Sequence, residues 1–274
     1  MIKDLTLKSS LMLCFLLCSI ATSNAQAAKS GTYKNFLGME FVTVPGGSFM
    51  MGSPSNITGI MFDELPQHKV SVPSFQIMST EVTLAHFKDY IKESSRIDLV
   101  TDEFMDANSH GDAAPVVFVS WNDVRKFAYW LNQNKPASDK GSYMLPSEAQ
   151  WEYACRAGKD TDYCGTGTAG SLGWYTSKTT VYQQTVAGKS PNAYGLYDMS
   201  GNAREWVEDC YHDNYENAPS DGSAWTNQCQ STNRVLRGGS WKEEAEKGRA
   251  SNRLSAKLTS RSPIFGFRIV RILK

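Results

Sequence analysis

Several chemistries are excluded by what this chain lacks. It has no Walker loop and no G-x-S-x-G elbow, so P-loop nucleotide and serine-hydrolase readings find no support. Its 4 histidines, His68, His86, His110 and His212, are scattered, and none forms an H-x-x-x-H pair. It has no C-x-x-C pair, so a zinc site has no spacing to rest on. Lys plus Arg and Asp plus Glu balance at 28 each, and the formal net charge is +0. No strong field favours nucleic acid or an anionic membrane, and no basic stripe is visible.

The only long apolar run lies at the start. Lys3 and Lys8 precede Leu11–Ile20, which is shorter than the ~20 residues a membrane-spanning helix needs. Small residues at Ser23, Ala25 and Ala27 follow. This pattern predicts a Sec-type signal peptide over residues 1–27, cleaved after Ala25 or Ala27, with an uncleaved anchor as the competing reading. Cys14 and Cys18 follow leucines, which disfavours lipidation. The expectation is an exported, periplasmic or secreted protein with no membrane span after cleavage.

Of the 6 cysteines, Cys155, Cys164, Cys210 and Cys229 fall beyond that segment. An even number in an oxidising compartment predicts two disulfides. Three connectivities are open, and short loops favour Cys155–Cys164 and Cys210–Cys229.

Residues 28–37 read as a short exposed tail, and 38–274 as one domain without repeat or linker. Met39 to Met51 reads as two strands around a turn at Pro45-Gly46-Gly47, and His68 to Phe75 as a half-buried strand. Three helices are expected. The first follows a Thr83 cap, the second Ser120 or Asn122, and the third a Ser147/Gln150 capping box, closing at Gly158. From Gly158 to Gly238 no long periodic segment occurs, only turns and short strands rich in Gly, Asn and Ser. Such stretches in compact domains often carry function or bind ions. Phe265 to Leu273 reads as one apolar closing strand.

The motifs then add up. They begin with Gly38-Met39-Glu40-Phe41-Val42, Pro45-Gly46-Gly47-Ser48-Phe49, Asp63 to Val70 and Glu81-Val82-Thr83. Pro115 to Trp121, Leu145 to Ala154, and Pro191 to Met199 come next. Gly201-Asn202 with Glu205-Trp206, Arg237-Gly238-Gly239-Ser240-Trp241 and Gly266-Phe267-Arg268 complete the series. In this order they resemble the formylglycine-generating enzyme (sulfatase-modifying factor) family over nearly the whole chain after the leader. The resemblance implies an irregular α+β fold, related to C-type lectins and low in regular secondary structure.

It also implies a site and marks a departure. Active members carry two cysteines after the Gly-Gly-Ser-aromatic motif, where this chain has Glu243 and Gly248. That pair binds copper in the family, since Cu(I) prefers soft thiolates. Copper is therefore not expected here, nor is the formylglycine reaction unless other thiols serve. Arg204 stands where active members usually have Trp, and Ser240 is retained.

In relatives, positions 198, 201, 203 and 205 surround a calcium ion. Asp198, Gly201, Ala203 and Glu205 are accordingly the expected ligands of a structural calcium, with a turn cap and an Arg–Glu pair as the alternative. Ser240 and Glu243 are the candidate catalytic pair, Glu243 as a base, with Arg204, Trp241, Arg249 and Arg253 lining a cleft. The alternative is a solvated charged loop. Many relatives pair the cysteine at 155 with one just after Gly-Phe-Arg, a place held here by Ile269.

Some periplasmic members without the cysteines assist maturation of siderophores such as pyoverdine. A maturation or accessory role on a peptide, metabolite or envelope protein is the leading expectation, and a non-catalytic lectin-like binding module is the alternative.

Overall fold

The structure, a computed structural model, describes residues 31–56 and 59–273. The leader read at 1–27 lies outside the described residues. Among the described residues, eleven strands and five α-helices are connected by long irregular loops, in agreement with the α+β expectation.

The first sheet orders β1 (Thr32–Lys34), β2 (Glu40–Val44), β5 (Phe75–Met78), β11 (Val270–Ile272) and β6 (Ser142–Met144), all neighbours antiparallel. The second orders β10 (Phe265–Gly266), β7 (Arg204–Cys210), β8 (Asn233–Arg237) and β9 (Arg253–Lys257), with only β10 parallel to its neighbour. A separate ribbon joins β3 (Gly47–Met51) to β4 (His68–Val72).

Alternation along β2 divides its side chains between two cores: Phe41 joins one, and Val42 and Val44 the other. In the first core, α1 (Leu84–Ser94) and α3 (Trp121–Asn134) bring Phe87 and Phe127 together at 5.6 Å, and Phe127 meets Phe267 edge-on at 5.4 Å. In the second, α4 (Glu148–Arg156) inserts Trp151 and Ala154 against the valines of β2, β7 and β8. Burying each such ring contributes roughly 2–3 kcal/mol.

The expected caps hold. Thr83 accepts from the His86 backbone, Ser120 and Asp123 close a capping box, and Ser147 and Gln150 exchange bonds at 3.0 Å. Ala157 takes the left-handed conformation that ends α4, just before Gly158. Two shorter helices, α2 (Asp102–Ala107) and α5 (Ala169–Leu172), have too few turns to show a periodic signal.

Three expectations need correction. The exposed tail at 28–37 is in part a strand, because β1 pairs with β2 and Tyr33 lies under the Arg271 guanidinium, 3.9 Å away. Met39–Met51 is not a hairpin: the chain crosses at Pro45-Gly46 from the first sheet to the separate ribbon. The closing strand is two strands in two sheets, split where Phe267, Arg268 and Ile269 turn inward.

The predicted short-loop disulfides are both present, Cys155–Cys164 and Cys210–Cys229. Among the described residues no helix is long and apolar enough to cross a membrane.

Candidate functional site

The irregular loops are fixed by arginines from the sequence motifs. Arg237 is fully buried, donates to the carbonyls of Ala250, Ser251 and Asn252, and pairs with Glu152 at 2.5 Å. It thereby clamps the segment after Trp241 onto the second core. Arg268 pairs with both oxygens of Glu205 at 2.6 and 2.7 Å and bonds the carbonyls of Met78 and Tyr197. Each of these buried cations is balanced by a buried carboxylate, which offsets the cost of removing the guanidinium from water.

Gly239, with φ +70°, is forced by close approach, since a Cβ there would lie 2.7 Å from the Gly248 backbone nitrogen. That approach brings Ser240, Glu243 and Gly248 to one place. The Ser200 hydroxyl donates to the Gly248 carbonyl, and Thr176 N–H donates to the Glu243 carbonyl.

At this junction Arg204 grips Glu243 through two bonds of 2.8 and 3.0 Å, and the Ser240 hydroxyl donates to the same carboxylate at 2.7 Å. Arg204 also reaches Asn252 Oδ1 at 3.3 Å. The Arg204 side chain is 1% exposed and that of Glu243 22%, so one edge of the carboxylate meets solvent. Three of the carboxylate's acceptor positions are already used, so Glu243 is an anchored anion rather than the free base expected from sequence. Lys242, Glu244, Glu246 and Lys247 around it are exposed.

Gly248 carries a second constraint. A Cβ at this position would stand 2.2 Å from the Tyr175 hydroxyl. Tyr175 is buried, which raises its phenol pKa and keeps it neutral. No motif signalled Tyr175, because it lies in the aperiodic stretch and meets Gly248 only through tertiary packing.

The expected cleft is only partly assembled. Arg204 joins Ser240 and Glu243, and Trp241 lies beside them with its indole N–H toward the Pro263 carbonyl at 3.4 Å. Arg249 pairs instead with Glu64, and Arg253 with Glu148 while lying over the Tyr215 ring at 4.4 Å.

The 198–205 turn fits a cation in part. Asp198 Oδ1 and both oxygens of Glu81 are buried without a hydrogen-bond partner among the described residues. Burial pushes Asp198 up to about 6, and burial together with the Asp198 charge raises Glu81 well above its ordinary range. Asp198 Oδ2 accepts from the Ala187 N–H at 2.6 Å, so Asp198 Oδ1 and the two Glu81 oxygens, on acidic groups that repel each other, are the donor chemistry a hard cation neutralises. Glu205 does not fit the expected ligand set, because Arg268 and the Trp151 indole N–H occupy both its oxygens. Among the described residues no three His, Cys, Asp or Glu side chains are arranged around one ion. Glu81 stands in a recognised motif, but nothing in its spacing revealed that it faces Asp198.

Gly165 to Gly170 has the spacing of a dinucleotide-binding fingerprint, yet no strand leads into it and α5 is a single turn. It is a loop that follows directly on Cys164 of the Cys155–Cys164 bridge.

Residues 26–273 match the model of the sulfatase-modifying factor enzyme 1-like domain. The chain belongs to the formylglycine-generating enzyme family. Its fold is that family's fold. Similar curated proteins include the serine/threonine-protein kinase pkn1 of Chlamydia pneumoniae, 31% identical over 85% of this chain and 38% of the relative. The chain thus spans well under half the length of such kinase relatives. The formylglycine-generating enzyme of Streptomyces coelicolor is 28% identical over 73% of this chain and 78% of its own. Among solved structures, PvdO from Pseudomonas aeruginosa superposes with a TM-score of 0.79 and 30% identity, covering 89% of this chain and 98% of that one.

Proposed function

We propose that this protein is an exported member of the family that does not make formylglycine and acts as a maturation or accessory factor on a peptide or secondary metabolite in the periplasm. Pyoverdine maturation is the type of process meant. The observation that carries the reading is the Arg204–Glu243–Ser240 cluster at the position of the family's first thiol. A hard, charge-paired carboxylate there offers Cu(I) no soft ligand. At the second position the Tyr175 hydroxyl fills the volume a thiol would need. Among the described residues no other thiol is free to substitute, because Cys155, Cys164, Cys210 and Cys229 are all in disulfides.

The chemistry available is recognition. Glu243 presents a carboxylate edge to solvent, held in orientation by Arg204 and Ser240, which suits a hydrogen-bond donor on the client molecule. A structural calcium is part of the proposal. Asp198 and Glu81 would hold it, with backbone carbonyls of Gly201 and Ala203 completing the oxygen set. The ion would neutralise the acidic pair and stiffen the turn that presents Arg204.

Comparative mass spectrometry of periplasmic extracts tests the role. A strain lacking the protein should accumulate an immature peptide or metabolite, cleared by the wild-type protein and not by Glu243→Ala. An unchanged extract, with an envelope protein recovered on the purified domain, would favour the lectin-like binding module instead.

A further inference from the structure

A second site lies away from the Glu243 cluster, between the segments 212–217 and 225–230. They enclose a groove of ≈ 460 Å³. Its base is the imidazole of His212 stacked on the Trp225 indole, with ring centres 3.6 Å apart and planes at 8°. The base is rigid. Trp225 N–H donates to Asp209 at 2.7 Å, its carbonyl accepts from Cys210 N–H at 3.0 Å, and the Cys210–Cys229 bridge ties the far wall to β7.

The polar groups of the groove are biased in one direction. His212 Nδ1 lies 3.2 Å from the Cys210 carbonyl, which fixes the proton on that nitrogen in the neutral ring. Nε2 is left as an acceptor without a partner among the described residues, on a side chain only 5% exposed. Asp213 and Glu216 stand on one wall and Gln228 and Gln230 on the other, and no Lys or Arg lines the groove. Gln228 holds φ at +54°, a conformation that costs a residue of this type of order 1 kcal/mol and clusters at binding sites. The groove is therefore rich in acceptors, anionic, and supplied with a flat aromatic base.

We propose that this groove binds a cationic nitrogen group, an alkylammonium or guanidinium, of a small amine or of a Lys or Arg side chain. Asp213 and Glu216 supply the countercharge, and His212 Nε2 accepts one N–H. The alkyl stem lies on the ring base. The inference is independent of the maturation reading, since it uses no residue of the Glu243 cluster.

Calorimetric titration of the purified protein with putrescine, Nα-acetyl-lysine amide and neutral sorbitol tests it. Binding is expected for one or both amines and not for sorbitol. It should weaken about tenfold in Asp213→Asn and in Glu216→Gln, as expected for loss of one charge-assisted contact. Raised salt should also weaken it. Preference for putrescine or for the lysine amide identifies a free amine or a peptide side chain as the source. Both acids are exposed, so the variants should melt like the wild type, and His212→Phe keeps the ring stack while removing the acceptor. Binding of sorbitol alone, no binding, or amine affinity unchanged in the double acid variant would overturn the proposal.

Discussion

Glu243 and Arg204 form the pair on which the site depends, and their burial is unequal. Arg204 is enclosed and Glu243 keeps a solvent edge. Replacing Glu243 by Ala should thus cost more than replacing Arg204 by Met, ~3 kcal/mol, because it strands a buried guanidinium. Urea unfolding at neutral pH measures this, and equal costs would contradict the assignment. Glu64 gives a pH prediction. Burial alone would raise its pKa, but hydrogen bonds from Arg249, Ser53 and Ser251 outweigh burial and hold it at about 2 against an ordinary 4.5. A depressed carboxylate pKa means the stabilisation is fully present above 4.5 and is lost as pH falls toward 2. The stability difference between wild type and Glu64→Gln should shrink over that window, measured by thermal melting. At this scale the sequence was informative about identities more than about partners. The motif positions of Ser240, Glu243 and Arg204 suffice to place them together, and they do meet. Arg249 and Arg253 turn to Glu64 and Glu148, contacts across 185 and 105 residues of sequence that leave no local signature.

Among elements, the helices were the most legible. Each of α1, α3 and α4 carries its own cap and a periodic apolar stripe, so its evidence is local. The strands were less so. β2 and β3 look like a hairpin because a Pro-Gly-Gly turn separates them, but the choice of partner belongs to β5 and β4, far along the chain. β10 and β11 look like one strand because both sheets bury apolar residues, and no residue between them marks the change. The disulfides pin the stretch with least regular structure. The Cys155–Cys164 loop is closed by a bridge of sequence separation 9 and Cys210–Cys229 by one of 19. Replacing the first pair by Ser should cost ~2–4 kcal/mol by chemical denaturation, with α4 retained. A cost near zero would show that the loop is held by two hydrogen bonds alone, Cys164 N–H to the Ser200 hydroxyl and Ala250 N–H to the Asp162 carbonyl.

For the molecule as a whole, the family fold was legible because its motifs run in order along the chain, whereas the proposed ion site was legible only as a turn. If calcium sits at Asp198 and Glu81, adding it to chelator-treated protein should raise the melting temperature, and Glu81→Gln should abolish the rise. An equal rise in that variant would place the ion elsewhere. The central claim is that the fold is kept while the copper-thiolate chemistry is gone. Its most direct test is mass spectrometry of a cysteine-bearing sulfatase-motif peptide incubated with the purified protein, copper, reductant and oxygen, beside an active family member. The account predicts that the control forms the aldehyde and this protein leaves the cysteine unchanged. Aldehyde formed by this protein would contradict it.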